Sequence, residues 1–136
     1  MDYTAEAQEK LAADMFATKQ AGAVIEEVRP GYARCTMSVT PEHLNANGAV
    51  MGGAIFTLAD YAFAAASNVD GMNTVAVTSS IEYMRAGKGE GVLTAEAQCR
   101  KNGRSFGFYE ITVSDDTGRE VAVVTTTGFR KDGTRA

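Results

Sequence analysis

The sequence predicts an α+β fold in which one antiparallel sheet packs against one long helix. Five segments alternate between apolar and polar residues, as half-buried strands do, and a short apolar run before the Pro30-Gly31 turn gives a sixth strand. One longer segment is apolar almost throughout. The turn signals Asn102-Gly103 and Asp116-Thr117-Gly118 join the later strands as hairpins. An antiparallel sheet needs one face covered, and the long helix is the only predicted element apolar enough to cover it.

The predicted elements follow one another as a helix, two strands, the long helix and four strands. The first helix is amphipathic and spans 5–16 within an N-terminal helical segment, 1–18. No repeat, low-complexity tract or linker interrupts this order, so we expect one domain over 1–136. The long helix is predicted at 52–68, and the strands at 23–28, 33–39, 75–83, 93–99, 109–113 and 121–129.

Composition limits the classes of partner. Lys plus Arg number 13 and Asp plus Glu number 17, and this net charge of -4 argues against nucleic acid, which needs a basic surface. No apolar run approaches the roughly 18 residues of a membrane span. The N-terminus lacks the basic and apolar regions of a signal peptide, so we expect a cytoplasmic protein.

The cysteines and the single histidine predict neither a disulfide nor a metal site. Cys35 and Cys99 lie far apart in alternating apolar patterns, which favours two reduced core residues. His43 is the only histidine, so no metal-ligand spacing exists, and we expect a partly exposed loop residue there.

The long helix contains one carboxylate, Asp60, and no basic residue. A surface helix would carry a polar stripe, so we expect this helix to be buried nearly all round, with Asp60 buried or lining a pocket. Phe56 and Phe63 are its neighbours along the helix and offer no cation. The alternative is that Asp60 faces solvent or accepts a structural hydrogen bond. The missing stripe favours a functional carboxylate whose pKa is raised by desolvation, as suits a general base or nucleophile.

The start of this helix, Gly52-Gly53, is the second candidate feature. Free backbone N–H groups at a helix N-terminus favour a developing oxyanion, although two glycines also simply permit a tight turn. Asp60 follows Gly52 by 8 residues (60 minus 52), which is roughly 12 Å along a helix. One carbonyl cannot touch both groups of one helix. If both act on it, they come from two subunits whose helices pack antiparallel at a dimer interface.

These residues resemble a known signature. The stretch 44–53, Leu-Asn-Ala-Asn-Gly-Ala-Val-Met-Gly-Gly, followed by Leu58-Ala59-Asp60, is similar to that of the hotdog-fold acyl-CoA thioesterases, in the phenylacetate-degradation branch. The segment 81–85, Ile-Glu-Tyr-Met-Arg, resembles a strand end of the same family. The resemblance implies an antiparallel sheet wrapped around one long central helix. It also implies acyl-CoA as substrate, no cofactor beyond that coenzyme A, and a homodimer paired into a tetramer.

The resemblance also implies roles for individual residues. Asp60 matches the general base or nucleophile, Gly52 the glycine whose amide polarises the thioester carbonyl, and Asn45 the asparagine that places the carbonyl or the attacking water. The family histidine falls on Met51, which can neither donate a hydrogen bond nor carry a proton. This departure affects the rate more than the mechanism, and it weakens a dehydratase interpretation.

Further residues are candidates for binding the substrate. Met51, Gly53 and Phe56 belong to or adjoin the signature. Some relatives have a hydroxyl that orients water, for which Thr78, Ser79 and Ser80 are nearby candidates; Thr78 and Ser80, on one face of the strand, are kept as pocket residues. Coenzyme A carries phosphates, so a basic cluster around the Asn102-Gly103 turn is a candidate entrance. Core packing, structural hydroxyls and a solvated hairpin tip are the competing interpretations. The basic cluster comprises Arg100, Lys101 and Arg104.

Three functions remain open at this point. An acyl-CoA thioesterase is favoured by Asp60 and Asn45, whereas Met51 favours a non-catalytic acyl-CoA binding or sensing protein on the same fold. A purely structural dimer leaves the carboxylate in an apolar helix unexplained. The acyl group itself depends on side chains from several strands and from a second subunit, so the sequence does not predict it.

Overall fold

The computed structural model describes residues 1–131, and residues 132–136 of the predicted domain lie outside the described residues. The predicted α+β class and element order are confirmed, and no helix within the described range is long and apolar enough to cross a membrane. The helices are α1, Thr4–Leu11, and α2, Gly52–Ser67, with short helical turns at Phe16–Gln20 and Pro41–His43; the strands are β1, Ala23–Arg29, β2, Tyr32–Ser38, β3, Thr74–Tyr83, β4, Val92–Asn102, β5, Phe106–Ser114, and β6, Glu120–Arg130.

The six strands form one sheet in the order β1-β2-β4-β5-β6-β3, and every neighbouring pair is antiparallel. The hairpins β1–β2, β4–β5 and β5–β6 turn where the sequence predicts. α2 separates β2 from β3 along the chain and packs against all six strands. Its residues Ile55 and Leu58 share one core with Met37, Ile111 and Val113 of the sheet. The predicted sheet around one central helix is therefore confirmed.

The two edges of the sheet differ in how they are protected against pairing. β1 carries charged residues at Glu26, Glu27 and Arg29, and a bulge interrupts its register. β3 is ten residues long, and nearly all of it is exposed in the single chain, including Val77 with 52% of its surface accessible. A long, apolar edge strand is a template for pairing with another strand. β3 is thus the edge suited to a second chain.

Two sequence expectations in the N-terminal half are wrong. α1 ends at Leu11, before the predicted 16 or 18, because the Leu11 carbonyl accepts the Tyr61 hydroxyl at 3.3 Å and the Asp14 amide at 3.1 Å. His43 is buried, not partly exposed. Its Nε2 lies 2.7 Å from the Ala21 carbonyl oxygen, and its Nδ1 accepts the Thr40 amide at 3.0 Å.

The cysteines are both free, with Cys35 buried and Cys99 half-buried. Burial raises the pKa of the Cys35 thiol to about 12, so this side chain stays protonated at neutral pH. Its place among the apolar residues of the core agrees with the packing role that the alternating pattern predicts.

We predict that Gly128→Ala destabilises the fold. A Cβ on Gly128 would lie 2.6 Å from the Thr74 side chain and 2.8 Å from the Phe63 ring, whereas one on Gly53 would meet nothing within 4 Å. Overpacking of this kind costs about 1–3 kcal/mol. Gly53→Ala is the matched control and should keep or raise the free energy of unfolding, since alanine is the better helix former. Urea titrations at one protein concentration give both values, and equal stability of the two variants would contradict the prediction.

Candidate active site

Within residues 1–131, one face of α2 is covered only in part, by the turn that follows α1. The side facing the sheet is buried, but Gly53 and Asp60 on the opposite side are exposed and Phe56 and Thr57 are half-buried. The expectation of a helix buried nearly all round is therefore wrong for the single chain. The sheet covers only one side of the helix, and the carboxylate lies on the other. Asp60 is accessible and lines a pocket, which is the second of the two positions expected for it.

The pocket at Asp60 is a cavity of about 500 Å³, within the range of small-molecule sites. It lies between α2 and the turn that follows α1. No basic side chain lines it, and within residues 1–131 the Asp60 carboxylate makes no hydrogen bond or ion pair. The described chain also brings together no group of three or more His, Cys, Asp or Glu that could hold a metal. The lining residues are Asp14, Met15, Phe16, Ala17, Phe56, Thr57, Asp60 and Tyr61.

The surroundings of Asp60 shift its protonation. Burial raises the pKa of the Asp60 carboxyl above its ordinary value, and the negative charge of Asp14 adds to this effect. Both causes favour the neutral form, and no cation opposes them in the cavity. A carboxylate of this kind is a stronger base than an ordinary aspartate, which suits proton transfer from water.

The N-terminus of α2 supplies backbone donors. The Met51 carbonyl accepts the amides of Ala54 at 2.9 Å and Ile55 at 3.2 Å, so Gly52 and Gly53 occupy the first two helical positions. N–H groups at these positions have no intrahelical acceptor, and the helix dipole directs positive potential towards them. The free backbone donors expected at Gly52 and Gly53 are thus explained by the position of these residues in the first turn of α2.

Tyr83 packs directly on Gly52. Its hydroxyl donates to the Gly52 carbonyl at 2.9 Å, and a Cβ on Gly52 would lie 3.0 Å from the tyrosine ring. Close packing is therefore a second reason for glycine at position 52. It is compatible with the first reason, which is a backbone N–H that no side chain obstructs. Tyr83 was not among the predicted site residues, because strand alternation alone does not show which side chain reaches the helix end.

The loop before α2 fixes Asn45 and Met51. The Asn45 Oδ1 accepts the amides of Asn47 at 2.9 Å and Ala49 at 3.1 Å, so its oxygen holds the loop while its Nδ2 donates to no group in the described structure. The Met51 amide donates to the His43 carbonyl at 2.8 Å. The Met51 side chain itself is 57% exposed at the start of the helix. Met51 thus directly precedes the free amides of α2, and Asn45 holds the loop that leads to it.

The remaining predicted residues lie elsewhere in the single chain. Ser79 pairs with the buried Thr126 on the face that α2 covers, so alternation places Thr78 and Ser80 on the opposite face. Both line a second cavity, of about 220 Å³, together with Arg100. Lys101 and Arg104 are exposed at the end of the β4–β5 hairpin. The structure therefore groups Thr78, Ser80 and Arg100, but not with Asp60.

Comparison with known proteins gives consistent matches. The family model described as the thioesterase superfamily matches residues 47–122. The acyl-coenzyme A thioesterase PaaI of Escherichia coli (strain K12) is 37% identical over 116 residues, covering 85% of this chain and 83% of that protein.

Solved structures agree with the sequence matches. The structure of the E. coli PaaI protein from the phenylacetic acid degradation operon has a TM-score of 0.85 and 33% identity, covering 96% of this chain and 98% of that one. A hypothetical thioesterase from Streptococcus pneumoniae TIGR4 with coenzyme A has a TM-score of 0.77 and 33% identity, covering 84% and 91%. The hotdog architecture implied by the sequence resemblance is thereby confirmed.

We predict that Asp60→Asn stabilises the fold at neutral pH but not in acid. The pKa of Asp60 is raised in the folded state, so its ionisation opposes folding as pH rises from the ordinary aspartate value through the raised one. Below that window the carboxyl is neutral in both folded and unfolded chains, and the amide variant has no advantage. Thermal unfolding of wild type and variant between pH 3.5 and 8 measures the difference. An equal difference in melting temperature at all pH values would contradict the prediction.

Proposed function

Because this chain belongs to the thioesterase superfamily, we propose that it hydrolyses acyl-CoA thioesters, with Asp60 as general base or nucleophile and the Gly52 amide polarising the thioester carbonyl. The observation that carries the proposal is the position of Asp60. It is a carboxylate with a raised pKa and no protein partner among the described residues, and it lines a cavity of ligand size. The family indicates the reaction, which is thioester hydrolysis, and Asp60 is the proposed base.

The chemistry follows from the two groups. The thioester carbonyl oxygen lies at the start of α2, where the Gly52 N–H stabilises the negative charge that develops during attack. Asp60 either takes a proton from water as it attacks, or attacks the carbonyl carbon itself to form an anhydride that water then cleaves. In both routes a C–O bond forms, the C–S bond breaks and the thiolate of coenzyme A gains a proton. In this proposal the Asn45 Nδ2, which has no partner among the described residues, donates to the carbonyl or to the water.

The names of the similar proteins support coenzyme A as the thiol of the substrate. The E. coli relative is an acyl-coenzyme A thioesterase, and the S. pneumoniae structure contains coenzyme A. In this chain Arg100, Lys101 and Arg104 provide positive charge at one hairpin, which suits the phosphates of the coenzyme. No other cofactor enters the proposed reaction.

The proposed site is shared between two copies of the chain. Gly52 and Asp60 of one helix are separated by roughly 12 Å, too far to act on one carbonyl. Antiparallel pairing of β3 with β3 of a second copy would cover the exposed edge and the uncovered face of α2 together. The two α2 helices would then lie antiparallel, with Gly52 of one chain beside Asp60 of the other. A further pairing of dimers into a tetramer stays an expectation.

We predict that Asp60→Asn lowers thiol release from acyl-CoA substrates by about 100-fold or more, because the amide can neither accept the proton nor attack the carbonyl. Release of free coenzyme A is measured on aliphatic and aryl acyl-CoA esters. Glu90→Gln removes an exposed carboxylate outside the cavity and should leave the rate unchanged. A wild-type rate in Asp60→Asn would exclude Asp60 as the base. Absence of turnover in the wild type, with acyl-CoA still bound, would favour the binding-protein alternative.

We also predict that two variants, each inactive by itself, form a mixed dimer that is active. Gly52→Pro removes the amide donor at the first helical position, where proline is compatible with a helix; Gly52→Ala keeps the donor and controls for the added bulk against Tyr83. If the site is shared, a dimer of Gly52→Pro and Asp60→Asn chains contains one intact site. Random mixing after co-expression then gives about one quarter of wild-type activity. Activity no higher than that of the separate variants would contradict the shared site.

A further inference from the structure

The cavity at Asp60 contains a second carboxylate, that of Asp14, which the proposed mechanism does not use. Asp14 lies in the turn after α1, on the wall opposite α2. Because α1 ends at Leu11, the chain turns back over α2 and brings Asp14 to the cavity. The sequence alone places Asp14 on the polar face of a longer helix, so its position here is a finding of the structure.

The Asp14 side chain has no structural partner in the described part of the chain. Its backbone carbonyl, and not its carboxylate, accepts the Thr18 amide and hydroxyl, each at 2.9 Å. No side chain caps the helical turn Phe16–Gln20 that follows. The carboxylate makes no hydrogen bond or ion pair within residues 1–131. The usual structural roles of an aspartate before a helical turn are therefore absent.

Apart from the two carboxyls and the hydroxyls of Thr57 and Tyr61, the cavity is lined by apolar side chains, and no cation lines it. Met15 and Phe16 form its outer wall, with 56% and 67% of their surfaces exposed, and Phe56 lies on the α2 side. The lysine on α1, Lys10, is engaged elsewhere, since its Nζ donates to the carbonyls of Asn68 and Met72. A ligand group that enters this cavity therefore meets apolar side chains and two negative charges.

We propose that Asp14 is a specificity-determining residue that excludes acyl groups with a terminal carboxylate, so that the enzyme prefers acyl-CoA esters with an uncharged apolar acyl group. The proposal rests on the proposed function, which places the acyl group beside Asp60. Asp14 is exposed in the single chain, but an acyl chain that fills the cavity displaces water between Asp14 and a terminal carboxylate. Their repulsion is then screened less than that between two charges in bulk water. An uncharged acyl chain is not repelled.

The test compares acyl-CoA esters of equal length that differ only in a terminal carboxylate: hexanoyl-CoA with adipyl-CoA, and octanoyl-CoA with suberyl-CoA. For wild type we expect kcat/KM to favour the uncharged ester at both lengths. Asp14→Asn is nearly isosteric, and it should reduce this preference by about 10-fold through faster hydrolysis of the charged esters. Glu9→Gln removes the same charge from α1 outside the cavity, and its preference should equal that of wild type.

Binding to Asp60→Asn chains separates this inference from the proposed function. Titration calorimetry gives dissociation constants for each pair of esters without turnover, with and without the additional Asp14→Asn change. A preference that Asp14→Asn reduces in binding supports the role of Asp14, whatever Asp60 does in catalysis. An unchanged preference, or an equal reduction in Glu9→Gln, overturns it. If Asp60→Asn keeps its activity, the proposed mechanism is overturned but the inferred role of Asp14 is not.

Discussion

One packing constraint organises this molecule: a single apolar helix covers one face of a six-stranded sheet. A helix buries only the side that faces the sheet, and for α2 this side carries Ile55, Leu58 and Ala62. On the opposite side of α2, the described chain provides only the turn after α1. Asp60 lies on that uncovered side, where a carboxylate avoids full burial but is still desolvated by the turn after α1. The arrangement that stabilises the core therefore also leaves the proposed catalytic carboxylate accessible.

The same constraint explains why the edge strand and the site belong together. β3 follows α2 and lies at the edge of the sheet, so its unpaired edge and the uncovered side of α2 are both available to a second copy. Tyr83, at the end of β3, binds the carbonyl of Gly52 and so connects this edge to the first turn of α2. The proposed assembly at β3 and the position of the backbone donor are in this way linked through one residue.

Much of the fold follows from local sequence signals, whereas the site depends on contacts distant in sequence. Period-two alternation and the Asn102-Gly103 turn predict strands and hairpins because both are local effects. The early end of α1 depends on the Tyr61 hydroxyl, 50 residues away, and the burial of His43 depends on the Ala21 carbonyl. The sequence therefore predicts Asp60 as a candidate, but it does not predict that Asp14 lies on the opposite wall.

The replacement of the family histidine by Met51 is compatible with this site because the donors at α2 are backbone groups. The carbonyl of Met51 accepts the amides of Ala54 and Ile55, and its own amide is held by the His43 carbonyl. Any residue with this backbone geometry leaves the Gly52 N–H free at the first helical position. The side chain at position 51 can therefore change without altering the Gly52 N–H, the proposed oxyanion donor. The methionine lacks the side-chain donor and proton carrier that a histidine provides. In the proposed mechanism, proton transfer therefore depends on Asp60.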